Sequence, residues 1–267
     1  MAARKRLLRE DGSMKRTAFV EIGLLVTVGL QAALPQERPL NQAPAGFTAL
    51  FNGKDLSGWR GRQPDYDPHA EALLSKEDAA AKQAQWNAGR DLHWKVEAAK
   101  GEIVSDGQSP HLVTVKDYGD FELYVDWLMV NHNGDSGIYL RGYPQVQIWD
   151  VDNPREVRNG APKGSGALWN DNPENPGKWP LVKADKPVGE WNTFRIKMIG
   201  SRVWIWFNGQ LTVDGQVLDN FFDRAAPIVP AGPIGLQTHG SEIRFRNIYV
   251  REIPAAEAKA TLDKLGH

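Results

Sequence analysis

Tyr139 and Arg141, then Gln145, Gln147 and Trp149, recur at alternate positions within one short stretch, Gly134 to Asp150. Ile138, Leu140, Val146 and Ile148 fall between them, so the stretch reads as two half-buried strands at period two. Gly142 and Pro144 supply the turn. With the aliphatic set against a core, the opposite face displays aromatic planes beside a guanidinium and two amides. That combination suits a sugar: aromatic faces stack on the apolar side of a pyranose ring, while planar amide and guanidinium groups pair with vicinal hydroxyls. An ordinary polar sheet surface would show the same alternation.

Two further positions carry groups able to move a proton. In the run Asp120 to Val130, Phe121, Leu123, Val125 and Trp127 share one face, and Glu122, Tyr124 and Asp126 share the other. A carboxylate such as Asp126 on the concave side of a sandwich needs a reason, because burying it without partners is costly. An Arg-paired acid on a wet surface is the alternative. His239 lies with Gln237 on the face opposite Ile234 and Leu236. Its ordinary pKa, near working pH, suits proton transfer, and a histidine pinned in the tight Thr238-His239-Gly240 turn is the structural alternative.

These positions need a scaffold, and the rest of the chain reads as one. Of 267 residues, 32 are Lys or Arg and 33 are Asp or Glu, with no basic stripe among the aromatics, so nucleic acid is not an expected partner. Cysteine is absent, which removes disulfides, thiolate metal sites and a cysteine nucleophile. Ten Trp supply apolar area for a core or a carbohydrate surface. Residues 1–33 read as an export signal with Met14 as its start: Lys15 and Arg16 precede the apolar run Thr17 to Leu30, and Ala32 and Ala33 come after it. Glu21 interrupts that run and argues against a stable membrane span.

Residues 34–45 read as a linker, 46–253 as one β domain, and 254–267 as a tail with a short helix. Within the domain, about 67–90 is rich in Ala, Glu, Lys and Gln and predicts surface helices. Residues 151–190, rich in Gly, Pro and Asn, form a connection long enough to be functional, with Trp169 and Trp179 placed to wall a pocket. A strand is expected over Gly46 to Phe51, a hairpin at Asn208-Gly209, and a closing strand pair over Pro233 to His239 and Glu242 to Ile253. About a dozen short strands with peripheral helix predict an all-β, two-sheet antiparallel jelly-roll sandwich.

Several segments in order resemble one family. They include Trp94-Lys95-Val96, Tyr118-Gly119-Asp120-Phe121-Glu122-Leu123, Asp135 to Arg141, Val146 to Asp150, Gly189-Glu190-Trp191-Asn192, Gly232 to Gly240 and Phe245-Arg246-Asn247-Ile248. Over roughly residues 46 to 253 the chain is similar to the 3-keto-disaccharide hydrolases. The resemblance implies a concanavalin A-like sandwich, an exported, periplasmic or extracellular location, and action on glycosides whose C3 hydroxyl a partner sugar oxidoreductase has oxidised. A C3 ketone acidifies the C2 proton, so a base can remove it and the C1 aglycone can leave; hydration of the enone then gives net hydrolysis. Many relatives carry Glu at the position of Gln145, so a base at that position does not carry over.

For that chemistry a concave-face constellation of Asp126, Arg141, Gln147, Asp150 and His239 is expected, a cross-strand ion pair being the alternative for Arg141. His239 would transfer the proton, Asp126 or Asp150 would be the base or orient it, and Arg141 would hold the enolate oxygen. Gln145, Gln147 and Gln237 would bind hydroxyls, with Tyr139, Trp149 or Trp169 against the ring. A divalent metal ion on Asp150, His239 or Asp152 would be a natural enolate clamp, though no spacing demands one. A non-catalytic carbohydrate-binding module or a cell-envelope scaffold would share the sandwich and the aromatics. An enzyme alone needs a titratable pair within hydrogen-bond reach in a cleft, and this constellation requires Arg141, Gln147 and His239 to meet at one hollow.

Overall fold

The computed structural model describes residues 39–265. The expected export signal and the start of the expected linker lie outside them. In chain order the strands are β1 (Thr48–Ala49), β2 (Trp59–Arg62), β3 (Trp94–Glu97), β4 (Glu102–Ser105), β5 (His111–Thr114), β6 (Phe121–Met129), β7 (Asp135–Leu140), β8 (Tyr143–Trp149), β9 (Asn192–Ile199), β10 (Arg202–Phe207), β11 (Gln210–Val217), β12 (Gly235–Leu236) and β13 (Ile243–Glu252). The helices are α1 (Pro68–Ala72), α2 (Lys76–His93) and α3 (Ala255–Asp263).

The strands form the two antiparallel sheets of a jelly-roll sandwich. The larger runs β11-β10-β9-β6-β13-β4-β3, with β1 added to β13; the smaller runs β2-β5-β12-β7-β8. Period-two alternation builds the space between them. Phe121, Leu123, Val125 and Trp127 of β6 and Phe194, Ile196 and Met198 of β9 share one core with Leu112, Ile138, Leu140, Val146 and Ile148 of the smaller sheet. Trp127, Phe194 and Phe207 pack with ring centroids 4.7 to 5.8 Å apart, the range in which edge and offset aromatic contacts stabilise. Asn208 and Gly209, both at positive φ, close the β10–β11 hairpin in two residues, as the Asn-Gly pair predicts.

The helices finish an edge of the smaller sheet. Asp67 caps α1 ahead of Pro68, and the Ser75 hydroxyl accepts from the Asp78 N–H at the start of α2. Edge strand β2 would otherwise show unpaired backbone groups. Instead, the Gly61 N–H donates to Asn87 Oδ1 (3.0 Å), Gln83 Nε2 donates to the Gly61 carbonyl (3.0 Å), and Arg90 donates to the Trp59 carbonyl (2.8 Å). Gly61 permits this approach, because a Cβ there would stand 2.1 Å from the Trp86 carbonyl oxygen.

Three local expectations change. The strand expected over 46–51 pairs only at Thr48 and Ala49. Residues 39–45 are fastened rather than free: Asn41 and Asn247 exchange side-chain to backbone bonds of 2.9 Å, and Asn41 Nδ2 donates to the Gly101 carbonyl. The expected closing pair is split between sheets, since β12 pairs β5 and β7 while β13 pairs β1, β4 and β6. Between them Thr238 bonds to Ser105 and His111, and the Gly240 N–H to the Gly107 carbonyl, so the backbone crosses from one sheet to the other instead of folding back on β12 as a hairpin. Among the described residues, no helix is long and apolar enough to cross a membrane.

Candidate active site

Register alone lays out the outer face of the smaller sheet. Arg62 pairs His111, Leu112 pairs Leu236, Leu236 pairs Ile138, and Gly137 pairs Gln147. One residue along, His111, Gln237 and Gly137 are therefore neighbours in a row facing away from the core. Two residues on in one direction come Tyr139 and Gln145; in the other come His239, Asp135 and Trp149, with Asp135 paired to Trp149. Period two thus gathers polar side chains of β5, β7, β8 and the segment after β12 on one surface.

Over that surface opens a cleft of about 720 Å³. Its floor includes His111, Asp135, Tyr139, Gln145, Gln237 and His239. Trp149, Glu156, Asn159, Trp169 and Phe221 also line it, as does Asp65, whose carboxylate lies beside Tyr139. The 151–190 connection therefore walls the hollow without filling it. It is anchored by Trp169 Nε1 donating to the Asn159 carbonyl (2.7 Å), an edge contact between Trp149 and Trp169 (5.7 Å), and the Trp149 N–H donating to Ser165 Oγ (2.8 Å).

At the centre is a titratable pair. His239 Nδ1 lies 3.0 Å from Asp135 Oδ2; the His239 side chain is 60% exposed and that of Asp135 only 14%. The bond to Asp135 raises the His239 pKa above its ordinary value, and burial opposes it. Burial raises Asp135 as well, opposed first by the bond to His239. Groups this close titrate as a coupled pair. A Nδ1–H directed at Asp135 leaves Nε2 for whatever enters the cleft.

The neighbouring groups are set in equally definite states. The Thr238 N–H donates to His111 Nδ1 (3.3 Å), which puts the ring proton on Nε2. Burial, then the charges of Arg62 and His239, lowers the His111 pKa to about 3, so this imidazole is neutral. The Tyr139 hydroxyl donates to Asp65 (3.2 Å), and burial, then the Asp65 charge, pushes its pKa up. His111 Nε2, Gln145 Oε1 and Gln237 Oε1 are buried without a protein partner. Buried polar atoms are ordinarily paired, so the floor keeps hydrogen-bonding capacity unspent within the protein.

The expected constellation forms only in part. His239, Gln145, Gln237, Tyr139, Trp149 and Trp169 line the cleft. Gln147 lies beneath it, 1% exposed, with Nε2 donating to Asp135 Oδ1 (2.6 Å). Asp126 does not join them: it faces outward from the larger sheet, accepting from Thr193 Oγ1 (2.6 Å) and Asn247 Nδ2 (2.7 Å). Arg141 turns away because the chain bends at the β7–β8 turn, with positive φ at Arg141 and Gly142. Its guanidinium donates to the Gly119 carbonyl and to Asp120 Oδ1, each at 2.9 Å.

Asp150 is a structural cap, accepting from the N–H groups of Asn133 (2.7 Å) and Asp152 (3.1 Å), with His132 Nδ1 3.2 Å away. It stands apart from His239, so the metal set of Asp150, His239 and Asp152 is not assembled. Among the described residues no group of three or more His, Asp or Glu is placed to hold an ion. Arg141, Gln147 and His239 therefore do not meet at one hollow, and the titratable pair is completed by Asp135. Asp135 and His111 are the functional candidates that sequence reasoning passed over. The signal for Asp135 was there, since 135, 137 and 139 share a parity with Tyr139.

Comparison with known proteins agrees with this geometry at the level of family. Residues 46–251 match the 3-keto-α-glucoside-1,2-lyase-like domain. A 3-keto-disaccharide hydrolase of Bacteroides thetaiotaomicron is 23% identical, over 86% of this chain and 87% of that protein. A Parabacteroides distasonis protein provisionally assigned as a glycosyl hydrolase superposes with a TM-score of 0.55 at 25% identity, covering 80% of this chain and 100% of that one. With three quarters of its length matched in a continuous span that contains the whole cleft, the chain belongs to the 3-keto-α-glucoside-1,2-lyase-like family.

Proposed function

We propose that this protein cleaves glycosides already oxidised to a ketone at C3, by proton abstraction at C2 and loss of the C1 aglycone. The observation that carries the reading is the Asp135–His239 pair, 3.0 Å apart in a cleft lined by amides and indoles. The family and the named relative support glycoside cleavage. The keto requirement rests on a site whose centre is a His–carboxylate pair suited to proton abstraction.

In this reading neutral His239 takes the C2 proton on Nε2, while Asp135 holds Nδ1–H and stabilises the imidazolium that forms. The C–H electrons move into the C2–C3 bond and the ketone oxygen becomes an enolate. A neutral donor suits that oxygen, and the His111 Nε2–H, buried in the cleft floor without a protein acceptor, is the group that would serve once the sugar uncovers it. The enolate then expels the aglycone: the C1–O1 bond breaks with its electron pair on O1, which takes the proton that His239 removed from C2, leaving neutral His239 and an enone to which water can add. Trp149 and Trp169 offer apolar surface to the ring or the aglycone. The reading includes export, resting on the apolar run behind Lys15 and Arg16, and a sugar oxidoreductase as supplier of the substrate.

Hydrogen exchange isolates the first step. A 3-keto-1,5-anhydroglucitol has an acidic C2–H but no aglycone to lose. In deuterium oxide the protein is expected to exchange that hydrogen, monitored by proton NMR, well above the buffer rate; His239 is exposed enough to trade its proton with solvent. Exchange at the buffer rate by protein that cleaves a 3-keto-glucoside would exclude C2 abstraction.

A further inference from the structure

Gln145 and Gln147 carry amides of the kind that bind sugar hydroxyls, yet their bonds run along the sheet rather than into the cleft. Gln147 Nε2 is surrounded by acceptors: Asp135 Oδ1 at 2.6 Å, the Ile148 carbonyl at 3.1 Å and the Ser136 carbonyl at 3.3 Å. The amide cannot be reversed without turning its oxygen onto all three. Its Oε1 must therefore look the other way, where it accepts from Gln145 Nε2. Gly137 leaves room for this, since a Cβ there would stand 3.0 Å from Gln145 Cγ and Cδ. The donors thus run in one direction, from Gln145 to Gln147 to Asp135, and Asp135 passes the constraint to His239 through its second oxygen.

We propose that Gln147 and Gln145 are positioning residues that hold Asp135 as the acceptor fixing the His239 ring, rather than groups that bind the sugar. The proposal rests on the reading of the Asp135–His239 pair as the proton-transfer group. Its physical content is that a carboxylate accepting a short bond from a neutral amide keeps its charge more readily, and a charged Asp135 keeps the proton of His239 on Nδ1. The other charged or titratable groups facing His239 are Glu156 from the connection after β8, Asp65 from the loop after β2, and His111 of β5. None of them touches Gln147 in the bonds above. Gln145→Met removes the donor that Gln147 Oε1 accepts from without adding a charge to the cleft, so it loosens the same relay from its far end.

The test reads His239 directly, by an NMR titration of its ring nitrogens in the full-length, substrate-free protein. Gln147→Met, close in volume and without an amide, is expected to lower the His239 midpoint, and Gln145→Met, which removes the far donor without adding a charge, to lower it by less. In an Asp135→Ala background Gln147→Met is expected to add nothing. Turnover of a 3-keto-glucoside by Gln147→Met should fall about tenfold in kcat with little change in KM, short of the roughly hundredfold that a misplaced reacting group costs. An unmoved midpoint, or an equal shift without Asp135, overturns the proposal. If Gln147→Met does not fold, the Gln145→Met midpoint decides: lowered, it supports the relay; unmoved, it overturns it. If the midpoints move as expected while no keto sugar is turned over, the relay stands and the proposed activity is what fails.

Discussion

Replacing His239 by alanine is expected to lower kcat on a 3-keto-glucoside by about a hundredfold or more, the usual scale for losing a general base, with KM changed far less. The side chain is positioned for this and for little else. It is 60% exposed and packs no core, so its loss should leave the fold intact, with a thermal midpoint close to that of the parent protein. Its bond to Asp135 raises its pKa above the ordinary histidine value. Because the base must be neutral to accept the C2 proton, kcat/KM should rise with pH and level off above that raised pKa. A variant with full activity would remove His239 from the chemistry.

Asp135→Asn is expected to be nearly as damaging, for a reason that lies in direction rather than charge alone. Gln147 Nε2 donates to one oxygen of Asp135, so an asparagine would keep its carbonyl there and turn its amide N–H toward His239 Nδ1. Nδ1 would then accept, the ring proton would move to Nε2, and the nitrogen facing the substrate could no longer serve as a base. Forcing the wrong tautomer costs a hydrolytic triad about four orders of magnitude in kcat; a loss of about a hundredfold or more is expected in this more exposed pair. The pH profile carries a second signature. The Asp135 bond is the largest cause raising the His239 pKa, so in the variant the acid limb of the residual activity should move to lower pH. A limb that stayed in place would mean that another group sets it.

Much of this architecture was legible in the residues because period-two alternation states which side chains share a face. Ile138, Leu140, Val146 and Ile148 went to the core and Tyr139, Gln145 and Trp149 to the cleft as that rule requires. Alternation does not say which outer face of a sandwich a strand belongs to. Asp126 and His239 both fall on outward parities, but β6 lies in the larger sheet while His239 comes just after β12 of the smaller one, so the two carry no common site. Nor does it survive a turn: Arg141 continues the parity of Tyr139 but stands at positive φ, and its guanidinium finds Gly119 and Asp120. Asp135 falls inside the stretch that alternation marks as strand, but the outward set is read only from the residues around Ile138 and Leu140, whereas pairing begins at Asp135 itself, opposite Trp149. His111 owes its tautomer to the backbone N–H of Thr238, 127 residues away, a contact that no local pattern encodes.

The claim that the sugar must be oxidised before it is cut is tested most directly by aglycone release. The full-length protein would be incubated with a 3-keto-glucoside and, separately, with its unoxidised parent. Release from the keto compound alone is the expected result, because only the ketone makes C2–H acidic enough for an imidazole to remove. Equal release from both sugars would contradict the account and point to direct displacement at C1.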